Sequence, residues 1–186
     1  MGCCNWAMKA IGDLADLDAH SGSEARGPSL HGSDFDGTIK QIEANLHAGI
    51  ASMPNVRQDA TAIFAAAAMV QAAVMRMNLQ ESLRYDEVKD AVDRVLDEIR
   101  QAHQVVTARQ IPWPACVAGC MASKDQRPSF VALLSNSAEG KMGQLGNCKT
   151  VIKVIRRCWY LRDSRRGEFW DCSSTMQEMG MSVLLI

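Results

Sequence analysis

From Pro54 to Leu79 the chain is dominated by small and apolar residues, and Ala62 to Val70 contains no polar side chain at all. Phe64, Ala68, Gln71, Met75 and Asn78 recur at intervals of three and four, the period of a helix. A helix that is apolar on nearly every side has no face to give to water, so other elements must enclose it. Alanine sharpens the constraint, because it favours the helix and its short side chain lets neighbours approach closely. The run is too short for a membrane span by the usual length of such segments. A central helix inside a bundle is therefore the starting expectation.

The flanking sequence supplies helices to build that bundle. Trp6, Ile11, Leu14 and Leu17 gather on one side of a helix from Asn5 to Ala19, which Ser21-Gly22-Ser23 ends. Ser33-Asp34-Phe35-Asp36 resembles an N-cap with acid in the first turn, and Ile39, Ile42 and Leu46 continue that helix to Ala48. Val88, Val92, Val95, Leu96 and Ile99 form one stripe of a helix from Asp86 to Val106. Pro112-Trp113-Pro114 interrupts the pattern, since a residue before proline is pushed out of the helical region, and a helix restarts from Pro114 to Ala122. A short helix follows from Ser129 to Ser135.

Asn147 then caps a basic amphipathic helix to Arg162, with Val151, Val154, Ile155, Cys158 and Trp159 inward. Glu168 to Met179 forms the last helix, closed by Gly180. The tail Val183-Leu184-Leu185-Ile186 is too apolar to stand in solvent and is expected to dock on the core. The alternation that several strands require is missing, and aromatic residues are only 5%. The fold expected is all-α, an irregular multi-helix bundle with residues 1–186 as a single helical domain.

Charge and cysteine usage narrow the function. Twenty basic residues against twenty-one acidic ones leave a formal net charge of -1, so the chain has no surplus to neutralise nucleic-acid phosphates. Lys149, Lys153, Arg156 and Arg157 are then a solvated outer face of their helix, not a DNA-binding one. Seven cysteines, an odd number without regular spacing, do not form a secreted disulfide framework and suit a reducing compartment. Cys116 and Cys120 stand one helical turn apart and Cys148 and Cys158 stand alone, so they are expected to be small buried hydrophobes and no metal site is assigned. Met1-Gly2-Cys3-Cys4 resembles an acylated start, but Trp6 occupies the place of the required Ser or Thr. A buried Cys-Trp helix start, without membrane attachment, is expected instead.

No catalytic arrangement is visible. His20, His31, His47 and His103 stand apart from any acid and nucleophile, and Gly140 to Gly146 lacks the ending of a phosphate loop. No cofactor is implied. An enzyme would need a pocket of titratable groups assembled in space.

The second half carries an ordered set of fragments. Pro112-Trp113-Pro114 is followed by Val117-Ala118-Gly119-Cys120 and Ala122, then Arg127 and Phe130, then Trp159 with Arg162-Asp163. Trp170, Met176-Gln177-Glu178-Met179-Gly180 and Leu184-Leu185-Ile186 complete it. Asn5-Trp6-Ala7, Asp13-Leu14-Ala15 and Phe64-Ala65-Ala66 extend the likeness to the first half. This order resembles the C-terminal part of fungal-specific transcription factor domains, the regulatory domains that stand behind a binuclear zinc cluster in regulators of arginine metabolism and their relatives. Met121 departs from the acid usual after the Gly-Cys pair. The DNA reader of that family needs six closely spaced cysteines, and this sequence has no such cluster.

The resemblance implies transcriptional regulation in the nucleus through protein partners or self-association, without direct nucleic-acid contact, and leaves any small-molecule effector unidentified. The alternative is a free-standing helical interaction module that competes with an intact regulator. Absence of the helices that the family places upstream of Met1 would leave an apolar face uncovered, which favours a dimer or a poorly soluble product. The signature residues are expected to pack. Gly119 inside a helix admits a close neighbour, and Trp113, Trp159 and Trp170 each need an acceptor for a buried indole N–H. Arg162 and Asp163 pair with neighbours or cap a backbone group, while Pro114, Cys120, Phe130 and Gly180 complete the set.

Overall fold

The Ala-rich segment lies at the centre of a set of helices in the computed structural model, which describes residues 3–23, 32–53, 60–79, 85–102, 106–138, 147–165 and 168–181. In chain order the helices are α1 (Asn5–Ser23), α2 (Gly32–Ala51), α3 (Thr61–Leu79) and α4 (Tyr85–Ala102). A 3-10 turn, Ala108–Gln110, leads to α5 (Pro112–Met121), α6 (Arg127–Ala138), α7 (Cys148–Ser164) and α8 (Cys172–Glu178). Among the described residues there is no strand, and the architecture is all-α.

Two hydrophobic cores meet on α3. Ala65, Ala68, Met69, Ala72 and Met75 face α1 and α2, where Leu14, Ile39 and Leu46 are fully buried. Ile63, Ala66, Ala67, Val70, Ala73, Val74 and Met77 face the second core, built with α4, α5, α6 and α7. The two sets interleave at helical spacing, so one helix serves both sides and alanine keeps its neighbours close. By length and hydropathy alone Thr61–Asn78 is apolar enough to cross a membrane, contrary to the sequence expectation, but 78% of that window is buried inside the protein.

Ties between elements are specific. Arg76 of α3 reaches Glu43 of α2 at 2.9 Å and Glu87 of α4 at 3.5 Å. At Gly49 of α2 an added Cβ would lie 2.5 Å from the Trp6 ring, so the glycine is what lets α1 and α2 touch there. The amide of Cys4 donates to Thr61 Oγ1 at 3.0 Å. Cys4 itself is exposed, and Cys3 and Trp6 are both only half-buried, so the helix start is not buried as expected.

Several element boundaries differ from the sequence expectation, for identifiable reasons. α1 continues through Ser21-Gly22-Ser23, because a helical glycine costs only about 1 kcal/mol relative to alanine and does not by itself end a helix. α5 begins at Pro112, not Pro114, and Pro128 likewise sits in the first turn of α6. The first-turn N–H groups have no intrahelical acceptor, so proline there forfeits nothing. α4 is described to Ala102, and residues 103–105 of its expected run to Val106 lie outside the described residues; α8 starts at Cys172 instead of Glu168. Asp171 sets that start by a capping box: its Oδ1 accepts from the Ser174 amide at 2.8 Å, and its own amide donates to Ser174 Oγ at 2.9 Å. The expected docking of Val183 to Ile186 and the Gly140 to Gly146 stretch lie outside the described residues.

Candidate functional site

The C-terminus of α5 leaves its last carbonyls without intrahelical donors. One face of α7 supplies them. Trp159 Nε1 donates to the Gly119 carbonyl at 2.8 Å, and Arg162 Nη1 donates to the Cys120 carbonyl at 2.6 Å and that of Ala122 at 3.3 Å. Cys158 Sγ also approaches the Cys120 carbonyl, at 3.5 Å. Cys158, Trp159 and Arg162 stand at i, i+1 and i+4, so a single helical face caps a neighbouring helix. The guanidinium there also opposes the negative end of the α5 dipole.

Gly119 is the point of closest approach. An added Cβ would overlap Ile155 Cδ1, lie 3.1 Å from Ile155 Cγ1 and 3.3 Å from Phe130 Cδ1. Phe130, from α6, is fully buried against this contact. Arg127, which opens α6, holds both oxygens of Asp163 at 2.6 and 3.0 Å and places its guanidinium 5.1 Å from the centre of the Trp159 ring. The Arg127 hydrogen bonds keep the Asp163 carboxyl below the usual carboxylate range. The Gly-Cys pair, Arg127, Phe130 and the Trp159 to Asp163 segment thus converge on one joint, although Cys120 and Arg162 are 42 residues apart in the chain.

The remaining signature residues lie around this joint. Trp113 stacks on Phe64 with ring centres 5.9 Å apart and an interplanar angle of 12°, next to buried Pro114. Gly180 has φ 63°, the left-handed turn that ends α8: its amide reaches the Gln177 carbonyl at 3.0 Å and the Met181 amide that of Met176 at 2.9 Å. Arg157 of α7 holds Glu178 of α8 by a two-point ion pair. Trp170 lies under Arg165, 5.4 Å from ring centre to guanidinium, but its buried indole nitrogen has no hydrogen-bond partner among the described residues.

Trp170 also lines a cleft of about 380 Å³ beside the joint. Among the described residues, four cationic side chains, Lys124, Arg127, Arg162 and Arg165, line it with two carboxylates, Asp163 and Glu168. Tyr85, Phe169 and Trp170 add aromatic surface. Such a cleft can hold the anionic group of a flat molecule. No histidine is among its described lining residues, and Ser123 Oγ is engaged by Asp125 and Gln126.

Sequence reasoning missed one gathering of residues. Cys172, which has no role in the sequence reading, brings its sulfur to 3.1 Å from that of Cys116, and both lie near Cys120. Burial pushes the Cys120 thiol well above its ordinary value, whereas hydrogen bonds from Cys116 and Cys120 hold Cys172 well below it. The short Asp-x-x-Ser box ahead of α8 was the local signal that could have placed Cys172 at a helix start facing the joint.

The family described as "Fungal specific transcription factor domain" matches residues 1–186. The chain belongs to that family. Within it, this fungal-specific domain is similar to "Transcription factor dibT" of Pestalotiopsis microspora, with 25% identity over all of this chain and 33% of the relative. It is also similar to two proteins called "Trichothecene biosynthesis transcription regulator TRI10". The one from Trichoderma arundinaceum is 30% identical over 88% of the chain and 38% of its own length. The one from Fusarium sporotrichioides is 26% identical over all of the chain and 44% of its own length. The domain therefore spans less than half the length of these relatives. No solved structure matches it.

Proposed function

We propose that this chain is the regulatory, contact-making part of a fungal transcription regulator, acting in the nucleus through protein partners or self-association and not by holding DNA or by catalysis. The family match across residues 1–186 is the observation that carries this reading. The near-neutral charge supports it, because phosphate binding draws on a cationic surplus that is absent here. The exposed side chains of Lys149, Lys153 and Arg156 line the outer face of a helix whose inner face is committed to the core.

Fusing the whole chain to an unrelated DNA-binding domain, and reading a reporter under its operator in a fungal cell, tests the proposal. Reporter output changes severalfold relative to the DNA-binding domain alone. An unchanged output overturns the regulatory role, and tight, salt-sensitive binding of the unfused chain to duplex DNA overturns the division of labour. Lowered output from an intact relative, without effect on the fused reporter, identifies the competing module instead.

The cleft favours an addition to this reading. Its cationic rim and aromatic wall suit an anionic effector with a flat apolar body. A panel of aromatic carboxylates and phosphate esters tests it by thermal unfolding: a binder raises the midpoint with concentration, and Lys124→Ala reduces the rise. A panel without any binder removes the cleft from the proposal.

A further inference from the structure

The thiols around the joint go beyond the regulatory reading and do not rest on it. Cys116 and Cys120 lie one turn apart on α5, and Cys172 enters from the start of α8, 56 residues after Cys116. The three sulfur atoms lie within 4.8 Å of one another. A tetrahedral thiolate site with metal–sulfur bonds of about 2.3 Å has its sulfurs about 3.8 Å apart, so small side-chain rotations bring these three to it. No carboxylate or imidazole belongs to the group among the described residues, which selects a soft cation over calcium or magnesium.

A fourth thiol stands at the same junction. Cys158 of α7 places Sγ 3.5 Å from the carbonyls of Cys120 and Trp170, and 3.8 Å from that of Asp171. Those carbonyls belong to the segments that present Cys120 and Cys172. Loss of the thiol proton ends the attraction to all three carbonyls and frees the sulfur to turn toward its neighbours. Arg162, bonded to the Cys120 carbonyl at 2.6 Å, places a positive charge beside the group, where it offsets part of the charge of a metal thiolate.

We propose that Cys116, Cys120, Cys158 and Cys172 form a zinc(II) site that clamps α8 onto the α5–α7 joint. Each thiol that binds releases its proton to solvent, so zinc replaces four protons and no electron is transferred. α8 has only seven residues, too few for a stable isolated helix, and the metal adds a covalent-strength tie to its first residue.

The test uses the full chain, purified under reducing conditions, stripped with a chelator and titrated with cobalt(II). The expected result is a single equivalent of bound cobalt with the thiolate charge-transfer and tetrahedral ligand-field bands, displaced by zinc. X-ray absorption of the zinc form then shows a first shell of sulfur only. Cys116→Ser, Cys120→Ser, Cys158→Ser and Cys172→Ser each weaken binding by about a hundredfold or more, whereas Cys148→Ser and Cys4→Ser do not. The absence of thiolate bands with the reduced wild-type chain overturns the proposal, whatever the variants do. So does a first shell containing nitrogen or oxygen, or wild-type affinity in Cys116→Ser or Cys172→Ser. Freshly isolated protein that carries a Cys116–Cys172 disulfide, and binds no metal after reduction, overturns it in favour of a redox pair.

Discussion

Trp159 and Gly119, forty residues apart, are joined by an indole N–H that donates to the glycine carbonyl at 2.8 Å. The bond spans the closest approach of α5 and α7, and Arg162 repeats it one turn later on the Cys120 carbonyl. The end of one helix is therefore satisfied by side chains of another, so separating the helices exposes carbonyls as well as apolar surface. A signature that looks in sequence like scattered Trp, Gly and Arg residues is, in space, a single cap.

Replacing Trp159 by Phe keeps an aromatic body and removes the donor. The Gly119 carbonyl retains the Ala122 amide at 3.2 Å, so it is not left bare. The expected loss is about 1–3 kcal/mol, combining one hydrogen bond with some lost volume. Urea denaturation measures it as a lower midpoint with an unchanged slope.

Gly119→Ala and Gly12→Ala should act in opposite directions. Each gains up to about 1 kcal/mol of helix propensity. At Gly12 nothing lies within 4 Å of the added Cβ, so the gain stands and stability rises. At Gly119 the methyl meets Ile155 and Phe130 inside the core, and overpacking of about 1–3 kcal/mol reverses the sign. Equal midpoints for the two variants would remove the close approach from the account of this joint.

How far the fold was legible follows from the range of each signal. The central helix and the amphipathic α4 and α7 were readable because their periodicity is local. The start of α5 was not, because the rule for residues before proline was weighed above the tolerance of the first helical turn for proline. Gly119 was marked as a close-approach site, but its neighbour Ile155 lies on α7 and only the fold supplies it. Cys172 escaped notice for the same reason: no short spacing links it to Cys116, and their meeting depends on how Asp171 starts α8 and how Arg157 holds Glu178 at its far end.

Acid should loosen the outer clamps of the joint. The hydrogen bonds from Arg127 to Asp163 and from Arg157 to Glu178 hold both carboxyls below their ordinary values, 3.8 and 4.5. A carboxyl with a lowered folded value contributes stability that is present above its unfolded value and lost as pH falls through the folded one. Stability should therefore be level in this respect from neutral pH down to about 5, then decline below 4.5 and further below 3.8. Asp163→Asn and Glu178→Gln each flatten part of that decline. Both carboxylates are solvent-facing, so added salt should shrink the effect.

Trp113 offers a test of how the two cores are coupled. It packs against both hydrophobic clusters and stacks on Phe64 of α3, from a position in the first turn of α5. It is only half-buried, so Trp113→Ala should cost less than a fully enclosed tryptophan, about 2–4 kcal/mol. The more informative expectation concerns cooperativity. With the bridging ring removed, contact between the α1–α2 side and the α5–α7 side runs chiefly through the alanine faces of α3, and unfolding should broaden, with a smaller apparent denaturant slope. Amide exchange should then separate, with α1 and α2 opening before α5 and α7. A variant that loses stability but keeps the wild-type slope and uniform exchange would mean that α3 alone couples the two cores.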